Sequence, residues 1–187
     1  MHNLKPFTPL GADVPHVDEI GTVTLRERVE FALASVAARL STSGDTHKAV
    51  KTKLGVSLPD VGMASHGDQM SAFWMGPDQW MIVASYDAKT DLASDVKAAV
   101  SDAASVVEQT DGWCRFDIQG AQVCDVLERL CNAPVRSMAM DAVVRSSLEH
   151  TGAFVWRTTD DEFAVIGPRS SAGSLHHALI AAARSVS

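Results

Sequence analysis

The chain is poor in cysteine, in tyrosine, in clustered basic residues and in long apolar runs, and each shortage removes a class of function. Three cysteines, Cys114, Cys124 and Cys131, are too few and too widely spaced for a C-x-x-C pair, which excludes a disulfide framework or a zinc site of that kind. Cys124 and Cys131 are seven apart in a helical stretch and read as small buried hydrophobes. With a net charge of −7 and no Lys/Arg cluster, the chain lacks a phosphate-binding footprint, so no nucleic-acid partner is expected. No run reaches the roughly 18 apolar residues of a membrane span. The first twenty residues also lack a basic start followed by an apolar block, so no signal peptide is expected and a cytoplasmic location follows.

What is present is a moderately apolar sequence of 187 residues, 46% hydrophobic and 21% charged, enough to bury a core in one domain or two small ones. Its organising stretch is Phe73-Trp74-Met75-Gly76-Pro77-Asp78-Gln79-Trp80-Met81-Ile82-Val83-Ala84. Two short apolar runs flank a Gly-Pro-Asp break whose residues suit a tight turn, which predicts a β-hairpin. Residues 153–167 repeat the plan: Ala153 to Arg157, a polar turn at Thr158 to Glu162, then Phe163 to Gly167. A helix-like stretch follows each hairpin.

In chain order, residues 1–21 carry Pro6, Pro9, Pro15, Gly11 and Gly21 without periodicity and read as an extended arm. Residues 22–40 admit two readings. Leu25, Val29, Leu33, Val36 and Leu40 keep a helical spacing behind a Thr24-x-x-Glu27 capping box. Alternation through Val29, Phe31 and Leu33 permits a strand instead. A short helix is predicted over 45–54, capped by Asp45 and stopped by Gly55, and residues 58–69 read as loop. Helix over 91–104 and strand over 105–110 close a first half. The second half opens with a strand over 113–118, then a helix over 121–130, a strand over 143–148, a turn at 150–152 and the second hairpin. A last helix is capped by Ser170 or Ser171. The expected class is α+β, two small subdomains of mainly antiparallel sheet with helices on one face, over 22–110 and 111–187, with one continuous sheet as the alternative.

Chemistry is sparse. His47, His66, His176 and His177 form no H-x-x-x-H spacing and read as surface residues. Asp160-Asp161-Glu162 could act as paired carboxylates, but a hairpin turn makes them a solvated loop. Gly167-Pro168-Arg169-Ser170-Ser171 could hold an anion at a helix start, against the plainer reading of ordinary capping. Trp74, Trp80, Trp113 and Trp156 could stack on a flat ligand, against the plainer reading of core or interface packing. No G-x-S-x-G nucleophile motif occurs. No catalytic, cofactor-binding or metal residue is singled out.

Phe73 to Met81 resembles the W-x-G-P-D-E/Q-W motif of the gamma subunit of heterotetrameric sarcosine oxidase, with Gln79 where the family often has glutamate. The resemblance extends to Leu25-Arg26-Glu27, Leu58-Pro59, the strand, glycine and helix over 114–130, and Gly167 to Ser171, while 135–144 match poorly. It implies a non-catalytic subunit with a fold similar to folate-binding aminomethyltransferase domains, and strand over 29–38. It also implies alpha, beta and delta partner subunits, with FAD, FMN, NAD and tetrahydrofolate carried by the partners. The family's enzyme oxidatively demethylates sarcosine to glycine, with hydrogen peroxide and methylenetetrahydrofolate as co-products. A stand-alone folate-binding or one-carbon-transfer module is the alternative that the fold analogy implies.

Overall fold

The computed structural model describes residues 6–187. It contains eleven strands and four α-helices among these residues: β1 (Val17–Ile20), β2 (Val23–Arg28), β3 (Phe31–Ala38), α1 (Ser43–Leu54), β4 (Ala64–His66), β5 (Met70–Gly76), β6 (Gln79–Ser85), α2 (Leu92–Val100), β7 (Ala104–Glu108), β8 (Trp113–Gly120), α3 (Val123–Glu128), β9 (Val143–Leu148), β10 (Thr151–Arg157), β11 (Glu162–Pro168) and α4 (Ala172–Val186). The strands form two sheets, one of six strands in the order β1-β2-β8-β11-β10-β9 and one of five in the order β4-β5-β6-β3-β7. The paired strands are antiparallel, so the fold is α+β with two antiparallel sheets and not one continuous sheet.

The chain divides into two compact units. One holds Glu30–Thr110 with Asp141–Val143; the other holds the described residues up to Val29, together with Asp111–Met140 and Val144–Ser187. This corrects the expected boundary at residue 22, because β2 pairs along β8 from Val23↔Gly120 to Arg28↔Arg115 and so belongs with the later half. It corrects the arm as well. Residues 17–20 form β1 on the free side of β2, while residues 1–5 lie outside the described residues. The ambiguous stretch 22–40 is two strands and no helix. Glu27 does not close a capping box; it is buried in β2 and accepts the Leu10 and His16 N–H groups.

In the five-strand unit the two faces of each strand are sorted by period two. Ala32, Ala34 and Val36 of β3 lie beside Ala84, Ile82 and Trp80 of β6 in register, and with Met70 and Ala72 of β5 they meet Val50 of α1 and Leu92, Val96 and Val100 of α2 in one core. The hairpin turn falls where expected, but Asp78 takes the positive φ (54°), not Gly76. Its side chain accepts the Ser43 hydroxyl at 2.8 Å and its carbonyl accepts the Ala38 N–H at 2.9 Å, which ties the hairpin tip to the start of α1. That helix begins at Ser43, not at an Asp45 cap, and Asp45 lies inside its positive first turn; Gly55 stops it in a left-handed cap. Asp91 caps α2 through the Ser94 N–H. The expected loop over 58–69 contains β4, a three-residue strand too short for local propensity to announce.

In the six-strand unit Phe116, Ile118, Phe163 and Val165 share one face of the sheet, and the ring of Phe116 lies 5.8 Å from that of His176 on α4. Helix α3 is shorter than expected, Val123–Glu128. Glu149 and His150, both at positive φ (45° and 67°), make the turn into β10, so Thr151 and Gly152 are already strand. Neither Ser170 nor Ser171 caps α4 with its side chain; a 3-10 turn over Arg169–Ser171 leads into it. At the end of β8, Gly120 (φ 138°) lies so near Thr22 that a Cβ would fall 2.0 Å from its carbonyl oxygen. Only glycine permits that approach.

Candidate functional site

Three polar clusters join residues far apart in the sequence; a fourth, Arg136 with Asp125 and Glu128, is exposed. In the six-strand unit Asp117 of β8 is 2% exposed and holds two guanidiniums. Arg115 grips it with Nε at 2.6 Å and Nη2 at 3.1 Å, and Arg28 of β2 donates to the second oxygen. Arg28 and Arg115 are directly paired across β2 and β8, a like-charge pair that is unfavourable unless neutralised. Asp117, two residues along on the same face, supplies the neutralising charge. The Arg115 guanidinium also lies 5.6 Å from the centre of the buried Trp156 ring. With each Asp117 oxygen accepting from a guanidinium, the cluster reads as a structural clamp.

The second cluster belongs to β2 and the N-terminal segment. The Glu27 side chain is fully buried; Oε1 accepts from Leu10 N–H at 2.9 Å and Oε2 from His16 N–H at 3.0 Å, while the His16 ring stands 3.5 Å away. His176 on α4 bonds Asp18 of β1 at 2.8 Å, so a second carboxylate contact holds the same segment.

The third lies in the five-strand unit. His66 of β4 faces Ser71 of β5 across the hairpin, Nδ1 to Oγ 3.0 Å, and its Nε2 meets Asp141 Oδ1 at 2.8 Å. Serine, histidine and aspartate in line have the composition of a nucleophile, base and orienting acid. The His66 side chain is 54% exposed, however, and water screens it. Asp141, at φ 62°, also accepts the Ala64 N–H at 2.7 Å through its carbonyl. These two contacts fasten Asp141 to β4.

Asp160 and Asp161 are exposed in the β10–β11 turn. Arg169 donates to the Phe7 carbonyl at 2.6 Å and stands 3.8 Å from Asp111. Trp80 and Trp156 are buried, Trp80 donating its indole N–H to the Pro59 carbonyl at 3.0 Å; Trp74 and Trp113 are partly buried. His47 packs edge-on against Trp80 with ring centres 4.9 Å apart. His177 lines a groove of about 700 Å³ beside α4, with Arg129, Leu130 and Glu149. Cys114 is buried, its thiol 3.4 Å from the Gly167 carbonyl, and burial raises its pKa to about 11; burial raises that of Cys131 too. Among the described residues no group of three or more His, Cys, Asp or Glu could hold a metal ion, and no helix is long and apolar enough to cross a membrane.

Sequence reasoning missed Glu27, Asp117 and Asp141. The one local signal was Arg115-x-Asp117 on a single strand face; the third member, Arg28, stands 89 positions from Asp117.

No protein-family model and no curated protein matches the chain. Solved structures do. A chain of the heterotetrameric sarcosine oxidase from Corynebacterium sp. U-96, in complex with pyrrole 2-carboxylate, superposes with a TM-score of 0.79 at 23% identity, over 90% of this chain and 87% of that one. The glycine cleavage system aminomethyltransferase T from Bartonella henselae gives 0.65 at 17% identity, over 87% of this chain and 49% of that one. The fold of this chain, two antiparallel sheets with their helices, is thus the one found in a chain of that sarcosine oxidase and in about half of that aminomethyltransferase.

Proposed function

We propose that this chain is a non-catalytic, gamma-type subunit of a cytoplasmic heterotetrameric sarcosine oxidase assembly, packing against its large subunit. The observation that carries the reading is the likeness to a chain of such an enzyme over nearly the whole of both chains. The side-chain chemistry supports it: Glu27, Asp117 and Asp141 each hold parts of their own unit together. In this reading FAD, FMN, NAD and tetrahydrofolate are carried by the partner subunits, alpha and beta, with delta completing the complex. Demethylation of sarcosine to glycine, with release of hydrogen peroxide and methylenetetrahydrofolate, takes place there. Co-expressed with those subunits, the chain is expected to co-purify at fixed stoichiometry. Normal assembly and flavin content without it would overturn the reading.

The likeness to aminomethyltransferase T favours a second reading, a stand-alone folate-binding or one-carbon-transfer module. Titration of the isolated chain with tetrahydrofolate, followed by tryptophan fluorescence, separates the two. A saturable change supports the second reading and its absence removes it.

A further inference from the structure

The five-stranded sheet ends on β7, which pairs with β3 along one side and with no described strand along the other. The register identifies the groups left over. Gln109 donates its N–H to Leu33 O at 2.9 Å and Arg39 donates to Ala103 O at 3.0 Å. Bonded and non-bonded pairs alternate in an antiparallel ladder, so Ser35/Val107 and Ala37/Ser105 are the bonded pairs between these two limits. The N–H and C=O groups of Val106 and Glu108 therefore point away from the sheet. Natural edges are blunted by lysine, proline or bulges. β7, Ala-Ser-Val-Val-Glu, has no lysine or proline of its own and no register shift against β3; Lys97 of α2 covers its first outward carbonyl, that of Ala104, at 3.2 Å, and leaves Val106 to Glu108, with Val107 56% exposed.

The other sheet supplies a second, independent observation. Each unit has the same plan: a three-strand meander (β4-β5-β6 or β9-β10-β11), then the strand that precedes the unit's first helix (β3 or β8), then one further strand (β7 or β2). In the six-stranded sheet β1 lies antiparallel on the outer side of β2. The matching place beside β7 is filled by no described strand.

We propose that the outer edge of β7 takes up an extended segment of a partner subunit, antiparallel to β7, in the place that β1 fills beside β2. The inference rests on the subunit reading above. The segment presents apolar, β-branched residues across from Val106 and Val107 and a lysine or arginine across from Glu108, the pairings that stabilise cross-strand neighbours. A second copy fits less well. Each copy carries a net charge of −7, and β7 has no lysine or arginine of its own to set against the Glu108 of another copy.

Val106→Pro and Glu108→Pro test this in the full chain. Each removes an N–H that makes no bond within the sheet, and proline is tolerated at such outward edge positions. Val106→Pro is expected to keep the wild-type circular dichroism spectrum and melting transition, and Glu108→Pro to keep the spectrum while losing the exposed bond from the Thr110 N–H to the Glu108 carboxylate. Co-expressed with the other subunits, the wild type is expected to be retained, whereas each variant binds weaker by about tenfold, the loss of one backbone hydrogen bond. Equal retention of wild type and variants overturns the edge inference and leaves the subunit reading standing. No retention of the wild type overturns both. A wild-type homodimer that Val106→Pro dissolves makes a second copy the occupant and overturns the inference as stated. Unfolding of both variants shows that their N–H groups face inward and also overturns it.

Discussion

Removal of the Glu27 carboxylate is expected to release the N-terminal segment from the six-stranded sheet. Its two oxygens accept the Leu10 and His16 N–H groups at 2.9 and 3.0 Å from a fully buried position. Hydrogen bonds to a charged group contribute about 1.5–3 kcal/mol each, so the pair is worth roughly 3–6 kcal/mol at its upper bound. Leu10 is only half-buried and His16 is exposed, so in Glu27→Ala both donors regain water when the segment detaches. The net loss is therefore expected to be smaller, about 2–4 kcal/mol. Glu27→Gln keeps the shape and one acceptor oxygen but sets an amide N–H against a backbone donor, and falls between. Urea unfolding measures the loss, and hydrogen exchange at the Leu10 and His16 amides locates it. If Glu27→Ala lost less than about 0.5 kcal/mol and both amides kept their protection, the carboxylate would not be what holds this segment.

Asp117→Ala leaves the Arg28 and Arg115 guanidiniums opposed across β2 and β8 and is expected to cost about 3–5 kcal/mol in denaturant unfolding, the range for breaking a buried ion pair. A loss below 1 kcal/mol would show that the clamp does not neutralise that pair. Cys114 predicts an alkaline instability. Its thiol ordinarily titrates at 9.0 and in the folded chain at about 11, so the native state holds the proton more tightly and stability falls as pH rises through that window. Against Cys114→Ala, the wild type is expected to lose about 2 kcal/mol between pH 9 and 11; parallel curves would refute the assignment. At pH 8 a disulfide reagent is expected to modify the partly exposed Cys124 before Cys114, which reacts only on unfolding.

Both hairpins were legible because their signals are local: two short apolar runs and a turn that the intervening residues favour. Strands β2 and β3 were not legible from spacing, because Leu25, Val29, Leu33 and Val36 satisfy a helical period as well as they satisfy strands; the strand over 29–38 implied by the resemblance matches β3. What decides them is remote. β8 and β6 offer their pairing edges, and the Glu27 side chain finds donors in a segment eleven to seventeen residues upstream. The same limit applied to the polar clusters. Ser71 and His66 are near neighbours in sequence, but Asp141 joins them across 75 positions from His66, and no spacing rule links residues that only the folded sheet brings together. Of the site readings, the solvated acidic turn followed from its place in a hairpin. The ordinary serine capping expected at 170–171 is replaced by a 3-10 turn, and Arg169 beside it reaches the Phe7 carbonyl, far off in sequence.

The unit built on Glu30–Thr110 interrupts the other one in the chain, and this sets an order of events during synthesis. β1 and β2 emerge first, but β8, the strand that completes their pairing, follows only after about 85 further residues. At ribosomal speeds of about 5–20 residues per second the early hairpin waits roughly 4–17 s with its apolar side uncovered. Meanwhile most of the interrupting segment can close on itself, since Gln109 near its end bonds Leu33 near its beginning. The nascent polypeptide is thus most exposed to misassociation while β2 waits, and a chaperone that shields residues 17–28 would act in that interval.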